Sequence, residues 1–291
     1  MFKTILRLSR PYSILLATLT YTLGAGIAHY LGRVINVASF WLGLLVILSL
    51  LIATFLFTGY FRLLLMPLEQ SETPRQREQF RIILLQVAFA ALTLSAIAIL
   101  TALEKNLLNL STEILLVLTT LVLIAYAVPP LRLSDVGYGD LIQAITLGTL
   151  LPAMAFLLQY GQIHRLLSFI TIPFTLLALA YLMVCNFPTY STDLKLGRHT
   201  LLTRVTWQNA IPIHHFLVLV AFMLFAAGPL LGYPWKLIWP VFMAFPFAVI
   251  QIIWLQNVAN GGRALWNFLI ALTSATFGLA IYLLALTFWI H

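Results

Sequence analysis

Residues 166–187 read L-L-S-F-I-T-I-P-F-T-L-L-A-L-A-Y-L-M-V-C-N-F, with no charged side chain, and lead into P-T-Y-S-T-D-L-K-L-G-R-H-T at 188–200. The first stretch has the length, roughly 20 residues, and the apolar character of a helix that crosses lipid hydrocarbon. The second places Asp193, Lys195, Arg198 and His199 where such a helix would leave the membrane. Apolar run followed by polar loop is the pattern that decides the fold, because it recurs along the whole chain.

The chain has 291 residues, of which 62% are hydrophobic and only 8% charged, and its mean hydropathy is +1.01. A soluble domain carries about a quarter charged residues, so that class is excluded. Nine stretches are long and apolar enough to span: 11–31, 37–66, 80–103, 113–129, 138–160, 166–187, 207–231, 235–257 and 264–290. Strand-like alternation is absent, and in lipid only helices and closed barrels satisfy their own backbone polar groups. The expected fold is all-α: a single transmembrane domain, residues 1–291, of about nine helices. The run from Pro11 to Leu31 follows Lys3, Arg7 and Arg10. It is too long for a signal-peptide core and reads as a first retained span.

The net charge is +8 and the isoelectric point near 9.8. The basic residues are scattered between spans rather than gathered in a patch, which argues against nucleic acid as a partner. Topology accounts for them. With the N-terminus inside, twelve Lys and Arg (Lys3, Arg7, Arg10, Arg62, Arg75, Arg77, Arg81, Arg132, Lys195, Arg198, Arg204, Arg263) face the cytoplasm, against four outside (Arg33, Lys105, Arg165, Lys236). That bias orients a polytopic protein. It implies a cytoplasmic N-terminus, cytoplasmic polar loops and an external C-terminus. Glu69, Glu72, Glu78, Asp135, Asp140 and Asp193 fall on the same inner side.

Three inner loops follow spans two, four and six, at Pro67–Gln79, Pro129–Asp140 and after Asn186; their recurrence suggests a pseudo-repeat of helical hairpins. The lone Cys185 permits no internal disulfide and reads as a small buried residue. His214 and His215 are neighbours in sequence and cannot share a helix face, so packing or one hydrogen bond is expected rather than a metal. Small residues in Y-T-L-G-A-G-I-A-H and T-L-G-T-L-L-P-A allow close helix approach, and Pro152, Pro173, Pro212, Pro240 and Pro246 should kink their helices around a lipid-accessible cavity.

Asn186, Thr189, Asp193, Gly197, Arg198, His199, Thr200 and Leu201 match in order and spacing a motif N-x-x-D-x-x-x-D-x-x-x-G-K-R-T-L, with Thr189 at its first aspartate. Arg10-Pro11 and Y-A-V-P-P-L-R-L-S-D-V-G-Y-G-D, from Tyr126 to Asp140, supply two further segments. Together they resemble the UbiA superfamily of intramembrane prenyltransferases, most closely the branch that prenylates 1,4-dihydroxy-2-naphthoate in menaquinone synthesis. The resemblance implies a bundle around a lipid-accessible cavity and two acidic motifs that hold Mg²⁺ on a prenyl diphosphate. It also implies an isoprenoid or quinone as the lipid partner.

Counting back from the first loop aligns Thr58, Gly59, Tyr60, Phe61 and Arg62 with the family's first motif, N-D-x-x-D. Both aspartates are missing, and Arg62 stands where the second would be. A guanidinium repels a divalent cation instead of ligating it. The second motif keeps Asp193, with Asn186 and Thr189 as neutral oxygens, and Asp140 is a further contributor in its loop. No metal site is therefore expected, Mg²⁺ being required only if the chain is active. Arg62 is open to three readings: a helix-end cation at the headgroups, a partner of Asp193 or Asp140, or a phosphate contact. Asp193 reads as a structural ion pair or a ligand, and Lys195 and Arg198 as topology or as part of an anion clamp with Arg62. The leading expectation is a catalytically degenerate protein that holds an isoprenoid, quinone or pigment or serves in a membrane complex. The rival is an active prenyltransferase. A transporter is disfavoured because the spans hold few charges.

Overall fold

The computed structural model describes residues 9–63 and 73–291. Lys3, Arg7, Glu69 and Glu72 lie outside the described residues. Among those described, nine helices are long and apolar enough to cross a membrane, and the secondary structure is entirely helical apart from one isolated bridge between Val136 and His199. The protein is an all-α integral membrane protein.

Helix α1 spans Pro11–Tyr30, α2 Val37–Leu63, α3 Pro74–Glu104, α4 Leu110–Ala127, α5 Gly139–Tyr160 and α6 Arg165–Asn186. Two short helices follow, α7 (Tyr190–Lys195) and α8 (Leu201–Val205), and then α9 (Trp207–Ala226), α10 (Trp235–Ala259) and α11 (Trp266–Ile290). The expected spans agree to within a few residues at most ends. The clearest departure is α3, which begins at Pro74 rather than 80. Thr73 accepts from the Gln76 N–H and Gln76 reaches back to the Thr73 N–H, a reciprocal cap that satisfies two otherwise orphaned donors. Arg75 and Arg77, expected in the loop, are therefore on the first turns of a helix. At the other end of span seven, Gly228–Leu231 has left α9 and forms a separate 3₁₀ turn.

Helix α6 sits in the middle, packed against α5, α9 and α11, while α1 packs on α5 and α11. Hydrophobic transfer cannot drive this association in lipid, so close packing must. A side chain on Gly24 would collide with the carbonyl oxygen of Pro152, and one on Gly148 would meet Thr175 Cα at 2.5 Å. These contacts bring α1 onto α5 and α5 onto α6. Between them α5 widens into a π turn at Thr146–Leu150, directly before Pro152; the wider turn accommodates a residue with no N–H to donate. Helices α3 and α4 lie outside this centre, with α3 resting chiefly on α2.

Candidate functional site

One end of the bundle gathers the N-terminus of α1, the C-termini of α2, α4 and α6, and the segments that follow α4 and α6. They enclose a cavity of about 650 Å³. Its wall includes Arg10, Arg62, Arg198, Asp140, Gln143, Ser134, Tyr126, Tyr181, Cys185, Asn186 and Thr189.

Local structure explains how each polar group arrives. Asp140 occupies the first turn of α5, where a carboxylate is favoured by the helix dipole. Its Oδ1 accepts from Asn186 Nδ2 at 2.8 Å and its Oδ2 from the Leu201 N–H at 3.1 Å. Asp140 thus ties the ends of α5, α6 and α8 together. Asp193 lies on α7, buried, with Oδ2 accepting from the Thr189 hydroxyl at 2.9 Å and Oδ1 from Arg198 Nη1 at 3.1 Å. Gly197, at φ 62°, supplies the left-handed turn that reverses the chain and brings Arg198 back to Asp193. The Val136–His199 bridge fastens this turn to the segment after α4.

A third carboxylate organises the arginines. Asp135, in a 3₁₀ turn at Leu133–Asp135, has Arg132 Nη2 at 2.6 Å, Arg198 Nε at 3.4 Å and Arg62 Nη2 at 3.9 Å. Of the three readings of Arg62, pairing with Asp193 or Asp140 does not hold: among the described residues the carboxylate it approaches is Asp135, and Arg198 takes Asp193. The reason is reach, because α2 ends beside the segment after α4, whereas α7 turns Asp193 toward its own C-terminal loop.

Charge topology accounts for Arg10 in the sequence, yet in the fold it forms part of the cavity wall. It precedes Pro11 at φ 51°, a left-handed conformation that costs a non-glycine residue about 1–3 kcal/mol and clusters at functional sites. Its guanidinium lies 5.1 Å from the centre of the Phe55 ring and donates to Gln143 Oε1 at 3.2 Å. The Arg10-Pro11 pair is the one signal of this role in the sequence. Lys195, by contrast, is exposed and not part of the wall. Thr58 is buried and donates to the Thr54 carbonyl within α2, and Gly59 is buried one residue on; neither contributes to the wall.

Among the described residues the wall carries three guanidiniums and a single carboxylate, Asp140, whose two oxygens are already engaged. In the wall, Arg62 Nε and Nη2, Arg198 Nε, Gln143 Nε2 and Ser134 Oγ are buried without a hydrogen-bond partner, as are both oxygens of Asp135 just behind it. The wall atoms among these can all donate, and the Asp135 oxygens face the arginines rather than the cavity. Buried polar groups are nearly always satisfied, so the cavity is chemically suited to a ligand rich in acceptor oxygens and negative charge.

Elsewhere, His214 and His215 approach each other at 3.2 Å between Nδ1 atoms, and His215 also hydrogen-bonds the Gln256 side chain. Among the described residues no three His, Cys, Asp or Glu side chains are grouped to hold a metal.

No protein-family model matches the sequence, and no curated protein matches it. Solved structures do. The chain superimposes on a UbiA homologue from Archaeoglobus fulgidus bound to GPP and Mg²⁺, with 16% identity, a TM-score of 0.64, and coverage of 96% of this chain and 99% of that one. The same homologue bound to Cd²⁺ gives a TM-score of 0.62, with 16% identity over 96% of this chain and 98% of that one. A digeranylgeranylglyceryl phosphate synthase matches with 15% identity and a TM-score of 0.60 over 99% of this chain and 97% of that one.

The Mg²⁺ of such relatives does not fit the residues present here. Mg²⁺ is held by carboxylates, usually with several waters, in near-octahedral geometry. In this chain Asp193 and Asp135 are engaged by arginines and Asp140 by neutral donors, and the side chain brought in by the end of α2 is a guanidinium. The nine membrane-length helices among the described residues, their order and their superposition over nearly the whole of both chains give this protein the fold of the UbiA homologues, built around a cavity whose open groups are donors.

Proposed function

We propose that the chain is a single-domain member of the UbiA superfamily that no longer transfers prenyl groups with Mg²⁺ and instead holds an isoprenoid-type lipid by an anionic head. The observation that carries this reading is Arg62: its Nε and Nη2 are buried without hydrogen-bond partners in a cavity whose one carboxylate is already engaged. The motif resemblance to the 1,4-dihydroxy-2-naphthoate branch supports a quinone-related lipid or its precursor as the cargo. The distribution of Lys and Arg supports a cytoplasmic mouth for the cavity, a cytoplasmic N-terminus and an external C-terminus. The exposed outer faces of α3 and α4 suit an accessory role beside another membrane protein.

The test is binding of inorganic pyrophosphate and of geranylgeranyl diphosphate to the purified protein, with Mg²⁺ and with chelator. The expected result is binding of both, with affinities that agree within about twofold in the two conditions. Binding that requires Mg²⁺, or Mg²⁺-dependent prenylation of an aromatic acceptor, would overturn the reading.

A second reading keeps catalysis. Guanidiniums at a diphosphate also stabilise it as a leaving group, so the same three arginines favour metal-independent prenyl transfer. It predicts turnover in chelator that Arg62→Ala abolishes.

A further inference from the structure

Several neutral groups in the wall of the arginine cavity are spent on one another. Asn186 donates to Asp140, Thr189 to Asp193, and the Tyr126 hydroxyl to Gln143 Oε1 at 3.3 Å. Gln143 differs from them: it is only 7% exposed, yet its Nε2 has no partner.

The orientation of that amide is dictated by its neighbours. Arg10 Nη1 lies 3.2 Å from one terminal atom of the Gln143 side chain, and a guanidinium has donors only. That atom is therefore the carbonyl oxygen. The Tyr126 hydroxyl donates to it as well, so the amide nitrogen keeps both of its N–H groups free. Arg10 is itself anchored, with its guanidinium over the Phe55 ring at 5.1 Å from the centre. Of the three wall arginines, Arg10 is thus committed to Phe55 and Gln143, whereas Arg62 and Arg198 keep open donors.

Depth separates these groups. Gln143 follows Asp140 by three residues on α5 and shares its face, about 4.5 Å further into the bundle at the rise of an α-helix. It also borders a small void walled by Leu51, Phe55, Leu123, Ile142 and Leu147, where the polar cavity gives way to hydrocarbon. Arg62 and Arg198 gather at Asp135 instead, at the ends of the helices. Ser134 Oγ, the other open neutral donor, is in the turn beside Asp135 and belongs to that outer level. An amphiphile with its charged oxygens on Arg62 and Arg198 brings to the depth of Gln143 the atom that joins its head to its hydrocarbon. In a phosphate or diphosphate monoester this atom is an uncharged ester oxygen; in a phosphonate it is carbon. A neutral N–H suits such an oxygen, because it is buried at lower cost than another cation.

We propose that Gln143 is a specificity-determining residue of the cavity: its Nε2 donates to the ester oxygen between the anionic head and the hydrocarbon of the ligand, and Arg10 is the positioning residue that fixes the amide. The cavity then selects O-linked phosphate or diphosphate esters over C-linked anions of the same charge and length. This rests on the head-group reading above.

The experiment measures binding of geranylgeranyl diphosphate, and of its analogue with CH₂ in place of the ester oxygen, to the purified full-length protein in detergent with chelator. Inorganic pyrophosphate, which lacks that oxygen, reports on the head site alone. The wild type should prefer the ester by roughly two- to tenfold, the range for one neutral hydrogen bond. Gln143→Met removes the donor, and Gln143→Glu removes it while keeping an acceptor for Arg10 and Tyr126. Whatever either does to overall affinity, the ratio between the two ligands should fall to about one. Arg10→Met should lower the ratio too, since the Tyr126 hydroxyl can accept as well as donate and no longer dictates which way the amide faces. Ser134→Ala should keep it. Equal binding of the two ligands by the wild type overturns the proposal, as does a preference that survives both Gln143 variants or one that Ser134→Ala abolishes. A preference unchanged in Arg10→Met overturns the positioning role. If neither pyrophosphate nor either amphiphile binds the wild type, the head-group reading fails first and the role of Gln143 with it.

Discussion

Nη2 of Arg62 stands 3.9 Å from Oδ1 of Asp135, too far for a hydrogen bond, while Arg132 holds the same carboxylate at 2.6 Å. Arg62 is thus a buried cation that shares the Asp135 carboxylate with Arg132 and Arg198 at ion-pair distance, without a hydrogen bond to it. Its Nε and Nη2 have no hydrogen bond to lose, and a buried charge is often replaced by a neutral group at little cost, so Arg62→Gln should change stability by no more than about 1 kcal/mol. Pyrophosphate affinity should fall by about ten- to a hundredfold, the range for losing a charge-assisted hydrogen bond. Thermal unfolding in detergent and titration calorimetry separate the two effects.

Arg198 bridges two carboxylates, Asp193 at 3.1 Å and Asp135 at 3.4 Å. A guanidinium spans both because its donors are spread over a planar fork; an ammonium is a point charge. Arg198→Lys should therefore cost about 1–3 kcal/mol, below the roughly 3–5 kcal/mol of deleting a buried partner outright. Urea or thermal denaturation of the Lys and Ala variants side by side gives the ordering.

Asp140 has a donor on each oxygen. Asp140→Asn keeps one acceptor and turns an amide N–H toward either Asn186 or the Leu201 N–H. The expected loss is about 1–3 kcal/mol, and Asn186→Ala added to the Asp140→Asn variant should then cost less than it does in the wild type. Mg²⁺ should not shift the melting temperature of either protein. A Mg²⁺ shift in the wild type that Asp140→Asn removes would restore a metal-binding role to Asp140.

Placing carboxylates at positions 62 and 189, where the resemblance leads one to expect them, should reverse the cavity's preference. The double variant Arg62→Asp, Thr189→Asp is expected to gain a Mg²⁺-dependent rise in melting temperature, by the linkage between ligand binding and stability, and to lose pyrophosphate binding in chelator. A double variant that still binds pyrophosphate without metal would show that Arg10 and Arg198 suffice.

Gly24 has no room for a methyl group, since the Pro152 carbonyl occupies the place its Cβ would take. Gly24→Ala should destabilise the bundle by about 1–3 kcal/mol. Gly278→Ala, whose Cβ would meet Leu16 at an ordinary 3.4 Å, serves as the control and should be near neutral. Thermal unfolding of the two variants in the same detergent checks the contrast.

The sequence by itself determined the membrane helices found among the described residues, their number and their approximate ends. Hydrocarbon leaves a backbone no alternative to internal hydrogen bonding, so roughly 20 apolar residues are a sufficient signal, as in 166–187. It also shows an arginine and a threonine, Arg62 and Thr189, where the resemblance leads one to expect carboxylates, because a residue type is legible without coordinates. It does not locate the start of α3, where a polar run forms a capped helical turn after Thr73. What only the tertiary structure decided is which charges meet. Arg10 and Arg62 are separated by a helical hairpin in the chain and line one cavity in the fold, whereas Lys195, three residues from Arg198, lies outside its wall. In sequence Asp135 is one more inner-loop acid; in the fold it is the carboxylate around which Arg62, Arg132 and Arg198 gather. Charge pairing depends on distances of a few ångströms between helix ends, and those follow from helix rotation and close contacts such as Gly24 on Pro152, which hydropathy does not encode.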